Sequence, residues 1–206
     1  INPNKIEIIY NGIEFKEVDY QKSFKKLSKE FRIIQGQPII LFVGSGFKRK
    51  GAEEFLRIIA MLKTNGVKAF VVGKESNMSY YQNLSKKLNI DNQIFFTGPR
   101  VDVNDFYTIS DVFLFPTHYD PFSNVVLEAM YFDNAVFTTR SNGASEILDR
   151  DFIMNSPYDK KVAASIDNLL SNKNTLNEVK IRNKKKSKQF PIEKNLKKTL
   201  EVINKI

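Results

Sequence analysis

The chain has 206 residues, an apolar fraction of 42% and a formal net charge of +9, which is typical of a basic globular protein with one full-sized domain. It has no cysteine, which excludes disulfide bonds and thiolate metal sites. No apolar run approaches the roughly 20 residues that span a bilayer, and no signal-peptide pattern opens the chain, so we expect a cytoplasmic protein. Because the first residue is Ile1 and not Met, we also expect the sequence to be part of something longer.

Strand and helix patterns alternate over the first three quarters of the chain. Short runs rich in apolar and β-branched residues predict strands at Lys5–Tyr10, Ile39–Val43, Lys68–Val72, Ile94–Thr97, Val112–Phe115 and Ala135–Thr139. Apolar spacing and capping residues predict helices at Tyr20–Arg32, Ala52–Thr64, Ser79–Leu88, Asp102–Ser110 (with Asp102 as its cap), from Ser123 or Asn124 onward, and briefly at Ser141–Glu146. The alternation predicts an α/β fold: a Rossmann-like, doubly wound parallel sheet of about six strands with helices on both faces.

After about Pro157 the pattern predicts helices alone, at Asp159–Ser171, Thr175–Lys188 and Ile192–Ile206. The last of these carries a single apolar face, formed by Ile192, Leu196, Leu200, Ile203 and Ile206. We therefore expect one α/β domain over residues 1–190 and a C-terminal helix over residues 191–206, which packs back on this domain or toward another one.

The stretch Phe115–Met130 places two carboxylates around the start of a helix. Asp120 lies just before that helix, and Glu128 lies about one turn into it. Ligands of open α/β sheets bind at the carboxyl ends of strands, and the free amides of a first helical turn suit a phosphate group. A carboxylate further along the helix can accept hydrogen bonds from a pair of sugar hydroxyls. The alternative is that these two acids are only a helix cap and a surface charge.

The loop Gly44–Gly51 follows a predicted buried strand and contains three adjacent cations. It matches neither the dinucleotide fingerprint nor the Walker loop, because Arg49 stands where the fingerprint needs glycine and Ala52 follows where the Walker loop needs lysine. Glycines still allow a ligand to approach the backbone, and Arg49 with Lys50 can neutralise a diphosphate. The alternative is a solvated turn that happens to be basic.

Three other features have competing interpretations. His118, the one histidine, is more typical of a hydrogen-bonded structural residue than of a catalytic base. Asn142-Gly143 is typical of a tight turn, although it could line a phosphate site. Lys180–Lys188 carries six positive charges in nine residues, which is typical of a solvated helix face. An anionic membrane surface is a further candidate partner for this segment, whereas nucleic acid would favour interleaved aromatic residues.

Together these segments resemble the C-terminal, nucleotide-sugar-binding half of a GT-B glycosyltransferase of the retaining family 4, and in particular the bacterial lipopolysaccharide core glucosyltransferase I group. Phe42–Gly51 resembles that family's donor-phosphate loop, and Phe95–Asp102 resembles its base-binding segment. Asp120 to Glu128 resembles its two-glutamate motif of E-x7-E spacing. The likeness runs from about Ile6 to Ile147, and the final helix also fits.

The resemblance implies a function and a set of roles. It implies transfer of a hexose from a nucleoside-diphosphate sugar, with a UDP-sugar as the expected donor, to a lipopolysaccharide, lipooligosaccharide or other polysaccharide, without a metal or a cofactor. Arg49, Lys50 and Asp120 would be catalytic. The donor-binding residues implied are Gly44, Ser45, Gly46, Arg49, Lys50, Arg100, Val101, Asp120, Ser123, Asn124, Val125 and Glu128.

This chain departs from the family pattern at several positions. Asp120 replaces the first glutamate, Pro121 and Ser123 stand where glycines are usual, and Ser45 stands where many members have arginine. The sequence therefore does not identify the sugar. The N-terminal acceptor domain of the family is missing, so we expect this piece to bind donor but to transfer little.

Two other classes of function remain as alternatives. A non-catalytic doubly wound module, such as a receiver, would have clustered acids after its first buried strand, whereas the loop after Ile39–Val43 is basic. A nucleic-acid binder ranks last, and we expect no nucleic-acid partner. We expect a cytoplasmic location, with peripheral attachment to the inner face of the membrane as an option.

Overall fold

The computed structural model describes residues 6–205, in which six strands form one parallel sheet. The strands span Ile39–Val43 (β1), Lys68–Val72 (β2), Ile94–Gly98 (β3), Val112–Phe115 (β4), Ala135–Thr139 (β5) and Ile153–Met154 (β6). Their order in the sheet is β3-β2-β1-β4-β5-β6, and every pairing is parallel. The winding direction therefore reverses between β1 and β4, which confirms the doubly wound sheet.

Helices connect the strands and follow the last of them. They span Tyr20–Phe31 (α1), Phe47–Lys50 (α2), Ala52–Ile59 (α3), Met78–Lys87 (α4), Val103–Ile109 (α5), Asn124–Tyr131 (α6), Lys161–Ser171 (α7), Lys173–Ser187 (α8) and Ile192–Ile203 (α9). Two short 3-10 helices occupy Gly143–Ile147 and Arg150–Phe152. Most of these bounds lie within a few residues of the predicted ones.

Three elements differ from the prediction. The helix α2 lies inside the basic loop, which the sequence pattern treats as irregular. Helix α3 ends at Ile59 and does not reach Thr64, and the Lys63 and Thr64 amides instead donate to the Asp167 carboxylate at 3.0 and 2.9 Å. The strand β6 has only two residues, which are too few to show a pattern.

Aromatic side chains fill both sides of the sheet. Phe42 of β1 packs on one side against Phe55 of α3, with ring centroids 5.5 Å apart. Phe70 of β2 packs on the other side against Phe31 of α1 and Phe106 of α5, at 5.0 and 5.3 Å. Phe42 pairs with Val71, the residue after Phe70, so Phe42 and Phe70 point to opposite faces of the sheet. Side chains alternate between the two faces along a strand. The sheet is buried between two layers of helices.

The strand predicted at Lys5–Tyr10 is wrong for residues 6–10, and Lys5 lies outside the described residues. Among residues 6–205 no strand pairs with this segment. Instead, Lys198 donates a hydrogen bond to the Ile8 carbonyl at 2.8 Å, and Asn195 donates one to the Tyr10 carbonyl at 2.7 Å. The β-branched residues of this stretch therefore lie along α9, with Ile8 exposed.

The apolar face of α9 is open in the described part of the chain. Leu196, Leu200 and Ile203 are 55%, 59% and 57% exposed, and no residue of α9 is buried. Ile206, which the periodicity places on the same face, lies outside the described residues. That this helix packs toward another domain stays a prediction.

Candidate functional site

The ends of β1, β2 and β4 are brought close together by two glycines. A β-carbon on Gly51, whose φ is +79°, would lie 1.9 Å from the Pro116 carbonyl oxygen. A β-carbon on Gly73 would lie 1.9 Å from the Gly44 carbonyl oxygen. Any side chain at Gly51 or Gly73 would push these loops apart. The glycines therefore hold the basic loop against the chain that follows β4.

The structure brings Arg49, Lys50 and Asp120 together at this edge. The Lys50 ammonium donates a hydrogen bond to the Asp120 carboxylate, and their side chains are only 14% and 7% exposed. The Arg49 guanidinium lies 3.9 Å from the same carboxylate and donates to the Tyr119 carbonyl at 3.0 Å. Two cations therefore share one buried carboxylate, which leaves the cluster with a net positive charge.

His118 helps to hold α2 in place. Its main-chain N–H donates to the Arg49 carbonyl at 3.0 Å, and the Thr117 hydroxyl donates to the same oxygen at 3.1 Å. The ring nitrogen Nε2 of His118 lies 3.0 Å from Glu54 Oε1. These contacts favour the structural role expected for His118.

The start of α6 is anchored by Asn142. Ser123 occupies the N-cap position, as predicted, but its buried hydroxyl caps no amide and has no hydrogen-bond partner among residues 6–205. The amide oxygen of Asn142 instead accepts from the Ser123 and Ala144 N–H groups at 3.4 and 3.1 Å. The amide nitrogen of Asn142 donates to the Thr138 hydroxyl at 3.0 Å, and its main chain pairs with that of Asp120. One fully buried side chain thus fixes α6 relative to the loop that carries Asp120.

Glu128 of α6 is bound by Tyr107 of α5, whose hydroxyl donates to Glu128 Oε2 at 3.0 Å. Burial raises the pKa of the Glu128 carboxyl, although the Tyr107 hydrogen bond and the charge of Lys16 act in the opposite direction. Burial, helped by the charge of Glu128, raises the pKa of Tyr107 well above its usual value. Within the described residues no contact joins Glu128 to Lys50 or Asp120. A shared cleft for Lys50 and Glu128 therefore stays a prediction.

Arg100 and Val101 follow β3, where the base-binding segment was expected. The Arg100 guanidinium pairs with Glu30 at 2.7 Å and with Asp102 at 2.8 Å, which raises the pKa of Arg100 and lowers that of Asp102. Asp102 holds the predicted N-cap position of α5 without capping an amide. Val101 is fully exposed. Val101 is therefore open to a ligand, whereas Arg100 is already engaged by two acids.

The other predicted donor-binding residues lie on the same edge of the sheet. Gly44 donates its N–H to the Val72 carbonyl at 2.9 Å, which fixes the start of the loop. The other four are in the loop and in the first turn of α6, where Ser45, Gly46 and Asn124 are exposed and Val125 is half-buried. Their binding roles stay predictions.

The basic segment Lys180–Lys188 is mostly paired with acids of its own domain. The ion pairs are Lys180–Asp111 (2.8 Å), Arg182–Asp149 (2.6 Å), Lys184–Asp133 (2.5 Å) and Lys186–Asp149 (2.7 Å). Lys185 and Lys188 remain exposed without an ion pair in the described part of the chain. Four of the six cations on this helix face are therefore paired, which the sequence pattern does not predict, because α8 lies across acidic loops between strands and helices.

A large cavity lies elsewhere. It has a volume of about 780 Å³ and is lined by residues at the amino ends of β1 and β4, opposite the predicted site, including Ile39 and Asp111. Residues 6–205 contain no group of three or more acidic, histidine or cysteine side chains placed to hold a metal ion. None of the helices described is both long enough and apolar enough to cross a membrane.

Sequence reasoning missed two side chains that shape the site. Tyr107 lies in a predicted helix. A buried tyrosine hydroxyl usually needs a hydrogen-bond partner, and this rule was the one indication that Tyr107 binds another side chain. The sequence pattern treats Asn142 as part of a tight turn or as a lining of the phosphate site, and not as an anchor of α6. Its position beside Ser123 and Thr138 depends on the pairing of chain segments that are distant in sequence.

Comparison with known proteins gives a family match over the part of the chain that contains this site. The model of the family described as glycosyl transferases group 1 matches residues 23–186. An uncharacterized glycosyltransferase of Methanocaldococcus jannaschii is 27% identical and covers 82% of this chain and 45% of its own length. The lipopolysaccharide glucosyltransferase WaaG of Escherichia coli is 27% identical and covers 66% of this chain and 38% of its own.

A solved structure has a similar fold. The crystal structure of HepE of Anabaena in complex with UDP and glucose superposes with a TM-score of 0.87 at 17% identity, over 97% of this chain and 57% of HepE. The present chain spans less than half the length of the two curated relatives above.

Proposed function

Because this chain belongs to the group 1 glycosyltransferases, we propose that it is the donor-binding half of a retaining enzyme that transfers a hexose from a nucleoside-diphosphate sugar. A UDP-sugar is the proposed donor, and a lipopolysaccharide, lipooligosaccharide or other polysaccharide is the proposed acceptor. The observation that carries the proposal is the cluster of Arg49, Lys50 and Asp120 beside the start of α6. The binding of UDP by HepE, which has a similar fold, supports it.

The proposed reaction breaks the bond between the anomeric carbon and the diphosphate, so negative charge develops on the leaving group. Lys50, Arg49 and the amides at the start of α6 would stabilise that charge, which is the task a metal ion performs in other transferases. In the structure Lys50 donates a hydrogen bond to the Asp120 carboxylate. An arriving diphosphate would take over Lys50 and free the Asp120 carboxylate to accept hydrogen bonds from the sugar.

The remaining roles concern the nucleoside. Glu128, held by Tyr107, would accept hydrogen bonds from the ribose hydroxyls in its ionised form. Exposed Val101 would border the base, and Arg100 would support that segment through its pairs with Glu30 and Asp102. In these roles the residues bind and orient the donor, and no cofactor takes part.

The acceptor would be bound by a separate N-terminal domain. The open apolar face of α9 and the exposed segment from Ile6 to Tyr10 beside it offer a surface for packing such a domain. On this proposal the present chain binds donor but transfers sugar only slowly without its partner domain. The enzyme would work in the cytoplasm, where Lys185 and Lys188 could support peripheral attachment to an anionic membrane.

Titration calorimetry of this chain tests the proposal. UDP, UDP-glucose, UDP-N-acetylglucosamine, GDP-mannose and UMP would be titrated separately, with uridine as the control that lacks phosphate. We expect UDP and at least one UDP-sugar to bind more tightly than UMP, and uridine to bind most weakly. If none of these nucleotides binds, the proposal fails, and a non-catalytic doubly wound binding module becomes the better interpretation.

A further inference from the structure

The proposed diphosphate site carries less free positive charge than its ligand needs. Lys50 and Arg49 supply two cations, but the buried carboxylate of Asp120 offsets one of them. Lys48, the third cation of the loop, lines a pocket together with Glu54 and Glu75. Each of the two phosphates of a nucleotide sugar carries negative charge. A further cation near α2 would therefore complete the charge balance.

The backbone of Lys74 is fixed directly beside the donor loop. Its N–H donates to the Ser45 hydroxyl at 3.1 Å, and its carbonyl accepts from the Gly46 N–H at 3.2 Å. Gly73 makes this approach possible, because a β-carbon there would collide with the Gly44 carbonyl oxygen. These contacts place the α-carbon of Lys74 close enough to Ser45 and Gly46 for its side chain to reach a ligand bound at the loop.

The Lys74 side chain is available for a ligand. It is exposed, and its ammonium group forms no hydrogen bond or ion pair with the residues from 6 to 205. The nearest acid in sequence, Glu75, is bound to main-chain amides and not to Lys74, since its carboxylate accepts the Phe47 N–H at 2.8 Å and the Asn77 N–H at 3.0 Å. These amide hydrogen bonds lower the pKa of Glu75 and hold its charge at the start of α2.

The surface of the loop is open at Gly46. Gly46 has a φ of +72°, and a β-carbon built on it would meet no atom within 4 Å. Ser45 beside it is exposed and has a short side chain. An anion that approaches this open surface would therefore lie within reach of the long, exposed Lys74 side chain.

We propose that Lys74 is a further donor-binding residue whose ammonium group pairs with a phosphate of the donor diphosphate. The proposal rests on the proposed function, and it assigns to the loop after β2 a part in phosphate binding that the sequence motifs do not include. Lys74 acts by direct contact with substrate, and it shares the diphosphate with Arg49 and Lys50.

The test compares Lys74→Gln with Lys87→Gln, which removes an exposed lysine of α4 from the carboxyl end of that helix. Calorimetry would measure the affinity of each variant for UDP and for UMP. We expect Lys74→Gln to bind UDP about tenfold more weakly, the loss typical of one charge-assisted hydrogen bond, and to lose part of its preference for UDP over UMP. Lys87→Gln should match the unchanged chain, and Lys74→Arg should keep most of the affinity.

The outcomes separate this inference from the proposed function. If the unchanged chain does not bind UDP, both fail. If it binds UDP and Lys74→Gln binds equally well, Lys74 has no part in donor binding while the proposed function stands. Because the Lys74 bonds to Ser45 and Gly46 use only its main chain, thermal unfolding of Lys74→Gln should match that of the unchanged chain. An affinity loss that is accompanied by a clear loss of stability would overturn the direct-contact role.

Discussion

Lys50→Met separates the binding role of Lys50 from its role in stability. The substitution removes the ammonium group but keeps an unbranched stem against Phe115, whose ring centroid lies 5.2 Å from the Lys50 nitrogen. Lys50 and Asp120 are 14% and 7% exposed, so the variant leaves a nearly buried carboxylate without its main partner. Removing one member of a buried pair costs about 3–5 kcal/mol, and we expect the lower end of that range because Arg49 lies 3.9 Å away.

The effect on UDP binding has a different origin. Loss of one hydrogen bond between a charged donor and a phosphate weakens binding by about 1.5–3 kcal/mol. At 1.4 kcal/mol for each factor of ten, this corresponds to an affinity that is roughly ten to a hundred times lower. Urea unfolding would measure the free energy of unfolding, and calorimetry with UDP would measure the affinity.

The double variant Lys50→Met/Asp120→Asn decides between the two roles. It leaves no uncompensated buried charge, so most of the lost stability should return. The affinity for UDP should stay below that of Asp120→Asn alone, which lacks the same carboxylate, because the phosphate still lacks its lysine. If the double variant binds UDP as tightly as Asp120→Asn does, Lys50 only supports the fold. If Lys50→Met binds UDP as tightly as the unchanged chain, the assignment of Lys50 to the diphosphate is wrong. Lys87→Met, on the exposed side of α4, is the matched control.

Three further predictions concern the neighbours of the site. Burial raises the folded-state pKa of Glu128 above its unfolded value, so the folded state loses stability as the pH rises from the unfolded pKa through the folded one. Glu128→Gln should therefore flatten the pH dependence of the melting temperature and raise the melting temperature at neutral pH. UDP affinity should fall on acidification as Glu128 is protonated, and we call this fall the acid limb of UDP binding. Glu128→Gln should bind UDP weakly at every pH. An unchanged acid limb in that variant would contradict the role of Glu128. Tyr107→Phe removes the donor that lowers the pKa of Glu128, so calorimetry across pH should show the acid limb of UDP binding shifted upward, and a limb at the same pH would exclude this coupling. Asn142→Ala leaves the Ser123 and Ala144 amides without their acceptor, so urea unfolding should show a loss of about 1–3 kcal/mol and calorimetry a weaker UDP complex; full UDP affinity would show that Asn142 does not position the start of α6.

The sheet could be predicted because its strands are continuous apolar runs. Ile39–Val43 and Val112–Phe115 are buried on both faces, and such segments leave a strong signal in sequence. The likeness to the C-terminal half of GT-B glycosyltransferases of family 4 is confirmed by the family match and by the fold. In both cases the information lies in residues that are close together along the chain.

The failures depend on distant neighbours. Ile6–Tyr10 has the composition of a strand, but a strand needs a partner, and α9 lies beside it instead. The ion pairs of α8 were likewise not visible in the sequence, because their acidic partners, such as Asp111 and Asp133, are far away along the chain.

At the site itself, position was predictable but partners were not. Spacing along the chain puts Arg49, Lys50 and Asp120 at the ends of neighbouring strands, and the structure brings them into contact. The same reasoning could not show that Tyr107 binds Glu128, because α5 and α6 meet through side-chain packing that no local pattern records.

A crystal structure of this chain with UDP tests the central claim most directly, because it shows whether one ligand meets both halves of the predicted site. The account predicts that the diphosphate contacts Lys50 and the first turn of α6, with the ribose hydroxyls on the Glu128 carboxylate. A nucleotide bound in the 780 Å³ cavity at the opposite edge of the sheet would contradict the account. So would a nucleotide that contacts Lys50 but makes no contact with the Glu128 carboxylate.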